Sequence, residues 1–353
     1  MKKQRAEKEG FSEDRRGQLF VRELLHWNRY DNGRRMPWKG EKDPYKIWLS
    51  EVMLQQTRVE QGLKYYQNFL AAFPDVHALA AAPDEKVFKF WEGLGYYSRC
   101  RNLLQTARYI SGQLNGVFPK TYNDILALKG IGSYTAAAIG SFAYNLPCAV
   151  LDGNVFRVLS RIFDKEVPID STRGKKAFSE LAQRILPDAD AGEYNQAIMD
   201  FGATICKPSP VCDACFFSHA CLAYRTGKQQ WLPVKEKRIT LKKRWLNYFI
   251  VRCGDQFLIQ PREGKDIWHG LYQFVLIETE TVKRPGDLLK LFQQQTGLND
   301  YTLIEEWKEK QALSHQSISF HFFSLRVSRK KNVENYGWTK LSQLQELAFP
   351  KTL

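Results

Sequence analysis

The fold of the first part of this chain is decided by the stretch LKGIGSYTA, residues 128–136. Two glycines flank one apolar residue, which allows a tight turn between the apolar helical patterns on either side. The backbone N–H groups of Gly130 and Gly132, with the N-terminus of a helix starting near Ser133, can bind a phosphate group. The stretch therefore predicts a helix-hairpin-helix, although a hairpin used only for packing has the same local sequence.

The region around the hairpin, residues 18–228, has the periodicity of an all-α domain. Apolar residues recur at helical spacing, and breaks fall at steps such as Phe73-Pro74 and Leu186-Pro187. Thr121 is a candidate helix cap. The predicted helices cover Leu19–Trp27, Ile47–Phe73, Val87–Leu114, Ile125–Tyr144, Val155–Phe163, Lys176–Leu186 and Tyr194–Ile205.

The rest of the chain has a different composition. Residues 229–244 are basic and lack periodicity, which predicts a linker, and residues 245–353 predict an α+β domain with one helix over Gly286–Gln295. The predicted strands are Trp245–Arg252, Gln256–Gln260, Tyr272–Glu278 and Ser317–Val327. Residues 1–17 are polar and basic and predict a disordered tail, or else an arm that contacts DNA.

The net charge of +14 over 353 residues favours a polyanionic partner. Phosphate polyanions are the usual ones, and an anionic membrane surface or a ribosomal protein would also suit this charge. No signal peptide and no run of about 18 apolar residues is present, so we expect a cytoplasmic protein that does not enter membranes.

Four of the seven cysteines lie within sixteen residues, with the spacing Cys206-x5-Cys212-x2-Cys215-x5-Cys221. Without a secretory signal, such a cluster is typical of metal ligands and not of disulfides. A four-thiolate set suits either a zinc ion or a [4Fe–4S] cluster, and the spacing alone leaves both open.

Two carboxylates are candidate catalytic groups. Asp152 lies where a helix begins, so it is a helix cap, and the helix N-terminus is expected to lower its pKa and keep it ionised. Glu51 lies in an apolar stretch with Gln55 one turn later, and is either on a narrow polar strip or desolvated with a raised pKa. One protonated and one ionised acid is the pair that glycosidic-bond cleavage needs.

Several stretches together resemble the MutY family of adenine DNA glycosylases. They are LSEVMLQQT (49–57), WEGLGYYSR (91–99), the hairpin, LDGNV (151–155) and the cysteine cluster. The resemblance implies a monomeric enzyme of base excision repair that removes adenine mispaired with 8-oxoguanine (or guanine) in double-stranded DNA. It also implies that the four cysteines bind a [4Fe–4S] cluster.

The resemblance also implies residue roles. Glu51 would protonate the departing adenine, and Asp152 would stabilise the sugar cation or bond to it transiently. Asn154 and Tyr134 would support the reacting centre. The implied DNA contacts come from Gln55, Gln56, Thr57, Tyr96, Gly130 and Gly132. Related enzymes that also cut the strand have a lysine where this chain has Tyr134, so we expect base removal without efficient strand cleavage. The alternative is a glycosylase with lyase activity on oxidised pyrimidines.

Residues 245–353 resemble the Nudix-like domain of the same family, which reads the 8-oxoguanine side. Ser314 and His315 match the loop that contacts the oxidised base. The helix at residues 290–298 lacks the glutamates that a Nudix hydrolase uses to hold Mg²⁺, so we expect a domain that binds and does not hydrolyse. One departure is the gap between the first two cysteines, which has five residues where the family usually has six. This gap predicts a tighter loop over residues 207–211.

Overall fold

The structure is a computed structural model that describes residues 12–57, 59–236, 241–264, 266–313 and 315–353. None of the helices in these ranges is both long and apolar enough to cross a membrane. The helices are α1 (Glu13–Tyr30), α2 (Pro44–Leu54), α3 (Val59–Ala72), α4 (Val76–Ala81), α5 (Asp84–Trp91), α6 (Tyr97–Gln113), α7 (Tyr122–Leu126), α8 (Ser133–Tyr144), α9 (Gly153–Ile162), α10 (Thr172–Ile185), α11 (Ala191–Thr204), α12 (Leu222–Arg225), α13 (Pro285–Thr296) and α14 (Leu341–Leu344). The strands are β1 (Lys242–Cys253), β2 (Gln256–Pro261), β3 (Tyr272–Thr279), β4 (Thr302–Ala312), β5 (Gln316–Arg326) and β6 (Gly337–Lys340).

The chain forms two compact units, and the first is helical. It contains Met1–Tyr66, Phe73–His77 and Gln105–Arg238. Its core lies among α1, α9, α10 and α11, where the Phe20 ring packs against Phe201 and Phe217 with centroids 6.0 and 5.2 Å apart. α9 buries Val155, Val158 and Ile162 at helical spacing. These buried residues anchor α9 in the core. The candidate acid Asp152 lies at the N-terminus of α9, so the core also positions this residue.

The pattern over Ile125–Tyr144 is divided into α7 and α8 by the predicted hairpin, and two other long predicted helices are also interrupted in the structure. The pattern over Ile47–Phe73 forms α2 and α3, and the pattern over Val87–Leu114 forms α5 and α6. The backbone is left-handed near each break, with φ of 57° at Gln56 and 48° at Tyr96. Apolar periodicity continues through these short loops, so the sequence pattern did not reveal them.

The second unit contains a six-stranded sheet. It consists of Gln67–Ala72, Ala78–Leu104 and Ile239–Leu353, so α5 and the start of α6 belong to it. The strand order is β4-β5-β1-β3-β2-β6, with β1 and β5 parallel and the other neighbouring strands antiparallel. One core packs α13 on the sheet through Phe249, Phe292 and Phe323, whose rings stack with centroids 4.6 and 4.8 Å apart.

The predicted strands and the predicted helix over Gly286–Gln295 are confirmed, but β4 and β6 were missed. β4 has the sequence TLIEEWKEKQA and is largely exposed. It lies at one edge of the sheet, and its many charged residues break the alternation of apolar and polar residues that marks a half-buried strand. β6, at the other edge, has only four residues.

Two predicted boundaries differ from the structure. α1 begins at Glu13, inside the predicted tail 1–17, because the Ser12 hydroxyl accepts a hydrogen bond from the Arg15 N–H at 3.3 Å. Gly17 is buried so closely against α10 that a Cβ there would lie 2.6 Å from Ile185 Cγ2. β1 begins at Lys242, inside the predicted linker 229–244. Residues 1–11 and 237–240 lie outside the described residues.

Candidate active site

Four helices of the first unit surround a pocket of about 560 Å³. α2 packs on α8, and α11 packs on both α8 and α9. These helices contribute Glu51, Tyr134, Asp152 and Met199 to the pocket wall. The structure therefore brings together the two carboxylates that the sequence analysis proposed from separate stretches.

Glu51 is buried, with 7% of its surface exposed. The Tyr134 hydroxyl donates a hydrogen bond to Glu51 Oε2 at 2.7 Å and also lies 3.3 Å from the Met199 sulfur. Desolvation raises the pKa of Glu51 to about 7, although the Tyr134 hydrogen bond lowers it and the nearby Asp152 adds a smaller increase. Of the two environments predicted for Glu51, the structure shows the desolvated one. This carboxyl can hold a proton near neutral pH and release it.

Asp152 is the N-cap of α9, as predicted. Its Oδ1 accepts the Val155 N–H at 2.7 Å, and its Oδ2 accepts the Asn154 side-chain amide at 2.8 Å. The prediction that the helix terminus lowers its pKa is wrong in direction, because burial raises the pKa of Asp152 more than these hydrogen bonds and Arg157 lower it. The hydrogen bonds still favour the charged form, whereas Glu51 receives only one such bond from a side chain.

Asn154 links Asp152 to the cysteine loop. Its Oδ1 accepts a hydrogen bond from Arg157 Nη2 at 2.7 Å, and Arg157 also donates to the carbonyls of Gly202 and Cys206, each at 2.8 Å. Position 202 requires glycine for this approach, because a Cβ at Gly202 would lie 2.8 Å from the Asn154 Cβ. Arg157 was not identified from the sequence.

A buried carboxylate on another wall of the pocket was also missed. Asp200 is fully buried and accepts hydrogen bonds from Arg34 at 2.8 Å and from Asn32 and Lys39 at 3.0 Å. Arg34 and Trp38 line the pocket. The stretch RRMPWK, residues 34–39, combines cationic and aromatic residues directly before the helix of Glu51, and this composition was the available signal.

The three residues that follow α2 lie at the pocket rim. Gln55 Nε2 donates to the Thr135 hydroxyl at 3.2 Å, and Gln56 is exposed with its backbone at φ 57°. Thr57 Oγ1 lies 3.4 Å from the Gln55 carbonyl. A non-glycine residue with positive φ is uncommon and is found preferentially at functional sites. The predicted roles of these residues in DNA binding stay predictions.

The hairpin lies between α7 and α8, and α8 begins at Ser133 as predicted. Gly130 has φ of 78°, which an L side chain rarely adopts, and Gly132 is the N-cap of α8. As glycine lacks a side chain, nothing from this residue caps the first N–H groups of α8. Thr106 fixes the turn by donating to the Lys129 carbonyl at 2.7 Å.

The four clustered cysteines line one small pocket of the first unit. Arg161, 2% exposed, donates to the carbonyls of Lys207 at 2.6 Å and Pro208 at 2.9 Å. The Val211 N–H closes this short loop on the Ile205 carbonyl at 3.1 Å. Within the described ranges, no three His, Cys, Asp or Glu side chains are arranged to hold a single metal ion.

The remaining predicted DNA contacts lie in the second unit. Tyr96 is partly exposed in the loop between α5 and α6, and His315 is exposed next to β5. Its neighbour Ser314 lies outside the described residues. α13 has one acidic residue, Asp287, in its first turn.

Comparison with known proteins defines the class. Residues 49–186 match the HhH-GPD superfamily base excision DNA repair protein model, and residues 247–353 match the NUDIX domain model. A thermostable thymine-DNA glycosylase has a similar structure, with a TM-score of 0.56 and 30% identity over 60% of this chain and 97% of that one. A trapped endonuclease III–DNA covalent intermediate shares the fold, with a TM-score of 0.51 and 20% identity over 60% of this chain and 98% of that one. The fold and the pocket thus define a helix-hairpin-helix DNA glycosylase with an added Nudix-like domain.

A curated relative narrows the class. The adenine DNA glycosylase of Buchnera aphidicola subsp. Baizongia pistaciae is 32% identical over 343 residues, which cover 94% of each chain. This chain belongs to the adenine DNA glycosylase family, whose members are hydrolases of base excision repair that act on N-glycosyl bonds. The family resemblance inferred from the sequence is therefore confirmed.

Proposed function

We propose that this protein removes adenine from double-stranded DNA in which adenine is paired with 8-oxoguanine, or with guanine. The observation that carries the proposal is the pair of buried acids in one pocket, with the pKa of Glu51 raised to about 7 and Asp152 held by hydrogen bonds that favour its charged form. The family relationship supports adenine as the base. The 8-oxoguanine partner rests on the resemblance of residues 245–353 to a lesion-reading domain.

The chemistry starts with a proton on Glu51. Glu51 transfers this proton to a ring nitrogen of the flipped adenine, so the bond from the sugar C1′ to the base breaks and the base leaves with both bonding electrons. The positive charge that develops on the sugar is stabilised by the Asp152 carboxylate. A water molecule then adds to C1′, and the proton that it loses restores the acid. Tyr134 orients Glu51 throughout, because its hydroxyl is hydrogen-bonded to Oε2.

Strand cleavage through a Schiff base requires an amine at the sugar carbon. The position expected to carry that amine is Tyr134, and none of the described residues that line the pocket is a lysine. The proposed activity is therefore monofunctional. The alternative, a glycosylase with lyase activity on oxidised pyrimidines, predicts a covalent adduct with DNA after borohydride reduction.

The family resemblance favours a [4Fe–4S] cluster over a zinc ion at the cysteines. All four cysteines line one pocket of the first unit, and a set of four thiolates by itself suits either group. Cys206, Cys212, Cys215 and Cys221 would hold the cluster, which would stabilise this loop and add no step to base removal. Arg161 supports the five-residue gap by binding the carbonyls of Lys207 and Pro208.

DNA binding would combine the two units. The hairpin glycines Gly130 and Gly132 present N–H groups to a phosphate, and Gln56 and Tyr96 would enter the base stack as the adenine flips out. Gln55 and Thr57 would contact the DNA beside them, and Ser314 and His315 would contact the 8-oxoguanine. We propose that the protein acts as a monomer in the cytoplasm, associated with the nucleoid if its source is a bacterium.

The deciding experiment is single-turnover cleavage of a duplex with adenine opposite 8-oxoguanine. Wild type should release adenine, detected as alkali-labile sites, and Glu51→Gln should lose about 10²–10⁴-fold in rate because it has no proton to donate. Glu60→Gln, an exposed residue of α3, is the matched control and should behave as wild type. Absence of adenine release by the cluster-replete wild type, or a borohydride-trapped adduct, would contradict the proposal.

A further inference from the structure

The loop that carries Tyr96 has an unusual backbone. It joins α5 to α6 over residues 92–96, and Gly93, Gly95 and Tyr96 have φ of 92°, 74° and 48°. Glycine adopts such angles readily, but a tyrosine does so only when its surroundings impose the conformation. Contacts of the second unit impose it here from two sides.

The first set of contacts comes from within the loop and its helices. Arg99 Nη2 donates to the carbonyls of Leu94 at 3.3 Å and Gly95 at 3.2 Å. Its guanidinium carbon lies 5.4 Å from the ring centroids of both Trp91 and Tyr96. Burial lowers the pKa of Arg99 to about 10, so the side chain remains a cation at neutral pH. Arg99 therefore binds the loop backbone and contacts the Tyr96 ring at the same time.

The second set comes from the C-terminal segment of the sheet domain. Glu92, the first residue of the loop, accepts the Phe349 N–H at Oε1 over 2.9 Å and pairs with Lys89 at 2.8 Å through Oε2. Lys89 in turn donates to the Leu347 carbonyl at 3.1 Å. The loop is thereby bonded to residues 347–349 immediately before its left-handed turn.

The same C-terminal segment is bonded to the sheet. The Ala348 carbonyl accepts the Tyr272 N–H of β3 at 2.9 Å, and the Phe349 ring packs on Phe274 with centroids 5.5 Å apart. The loop before β3 also contacts α6, because Arg101 donates to the His269 carbonyl at 2.5 Å. A continuous set of bonds thus runs from β3 through residues 347–349 to Glu92 and the Tyr96 loop.

We infer that Lys89 and Glu92 are positioning residues through which the Nudix-like domain sets the conformation of the Tyr96 loop. The domain proposed to read 8-oxoguanine then also holds Tyr96, the residue proposed to enter the base stack. Lesion reading and base unstacking would therefore both depend on this domain. This inference rests on the proposed function, because it assigns Tyr96 to the stack.

The test is a double-mutant cycle on Glu92 and Tyr96. The rate of base unstacking is measured by stopped-flow fluorescence of 2-aminopurine placed next to the adenine, and excision is measured in a single turnover. Glu92→Ala should slow unstacking by about threefold to tenfold, which lies within the wider range measured for residues coupled through shared partners. Glu92→Ala added to Tyr96→Ala should cause no further loss, because the loop then has no ring to place.

Three controls separate positioning from folding. Glu92→Gln keeps an acceptor for the Phe349 N–H and should recover part of the rate. Glu85→Ala changes an exposed acid of α5, the helix before the loop, and should have no effect. Lys89→Met removes the bond to Leu347 and the ion pair with Glu92 but leaves the Glu92–Phe349 bond, so it serves as a second variant if Glu92→Ala unfolds at a lower temperature. The inference is overturned if the Glu92 and Tyr96 losses multiply, or if Glu92→Ala equals Glu85→Ala. Unstacking by wild type without adenine release would overturn the proposed function instead.

Discussion

The two units each bury a cluster of charged side chains, and the clusters are built in opposite ways. In the first unit Glu51 and Asp152 lie among Tyr134 and Asn154, which carry no charge, and burial raises the pKa of both acids. In the second unit Arg244 lies between two carboxylates that neutralise it. In the first unit burial outweighs the neighbours that would lower the pKa of the two acids, whereas in the second unit the opposite charges outweigh burial at Asp266.

The sheet cluster shows the compensated arrangement in detail. Arg244, 5% exposed, donates to Asp266 at 2.7 and 2.8 Å and to Glu278 at 2.6 and 2.7 Å. Arg262 donates to the same Asp266 at 2.7 Å. Burial would raise the pKa of Asp266, but the hydrogen bonds and charges of the two arginines lower it. This cluster joins β1, β3 and the loop before β3, and therefore contributes to stability.

Among the variants that test this comparison, Asp152→Ser should have the largest effect. Serine is a good N-cap and can still accept the Val155 N–H, so α9 should keep its start and the free energy of unfolding should change by less than about 1 kcal/mol. The charge opposite the sugar is lost, and we expect single-turnover excision to fall by about 10²–10³-fold. Rate and urea unfolding are measured on the same preparation. A loss of less than tenfold would remove Asp152 from the chemistry.

The opposite outcome is expected for Arg244→Met in the sheet cluster. Asp266 and Glu278 lose their cation, but they are about two-fifths exposed and can be hydrated. The free energy of unfolding should therefore fall by about 2–3 kcal/mol, which is below the range for a fully buried pair. Urea unfolding checks this value, with Arg252→Met on the exposed side of β1 as the control. Equal stability of the two variants would show that the cluster does not stabilise the sheet.

Much of the helical unit could be predicted because its signals are local. The hairpin glycines and the cap at Asp152 each follow from a few adjacent residues, and the structure confirms the positions of both. The breaks after Leu54 and Trp91 could not be predicted, since the left-handed residues there are Gln56 and Tyr96 and not glycine. Their conformation is imposed by tertiary contacts, as Arg99 shows for the second loop.

The electrostatics of the pocket were harder to predict. The pKa direction of Asp152 was wrong because the helix terminus was visible in the sequence, whereas the burial that outweighs it depends on the packing of other helices. Arg157 and Asp200 were missed for the same reason, since their partners Cys206 and Arg34 are 49 and 166 residues away along the chain. The cationic and aromatic stretch around Arg34 was visible in the sequence, but its proximity to Asp200 was not.

A smaller effect should appear in the stability of Glu51→Gln. The folded-state pKa of Glu51, about 7, lies above the ordinary value of 4.5, so the folded protein prefers the neutral acid. The resulting penalty is absent below about pH 4.5, grows as pH rises to about 7 and is constant above that. Glutamine is always neutral, so Glu51→Gln should be more stable than wild type at pH 8 by up to about 3 kcal/mol and nearly equal to it at pH 5. Urea unfolding at the two pH values measures the difference, and equal differences would show that the acid is not desolvated.

The smallest effect should be the pH dependence of excision by wild type. If Glu51 donates the proton, the active fraction is the protonated one. Where Asp152 stays ionised, the single-turnover rate should therefore be level up to about pH 6 and fall above pH 7. With a pKa of about 7 the fall between pH 6 and pH 8 is about tenfold. Glu92→Gln, which acts on the loop and not on the acid, should leave the shape of this profile unchanged even if the rate is lower. A rate that rises with pH would mean that Glu51 acts as a base. Glu51 would then accept a proton in the reaction, contrary to its proposed role as the proton donor.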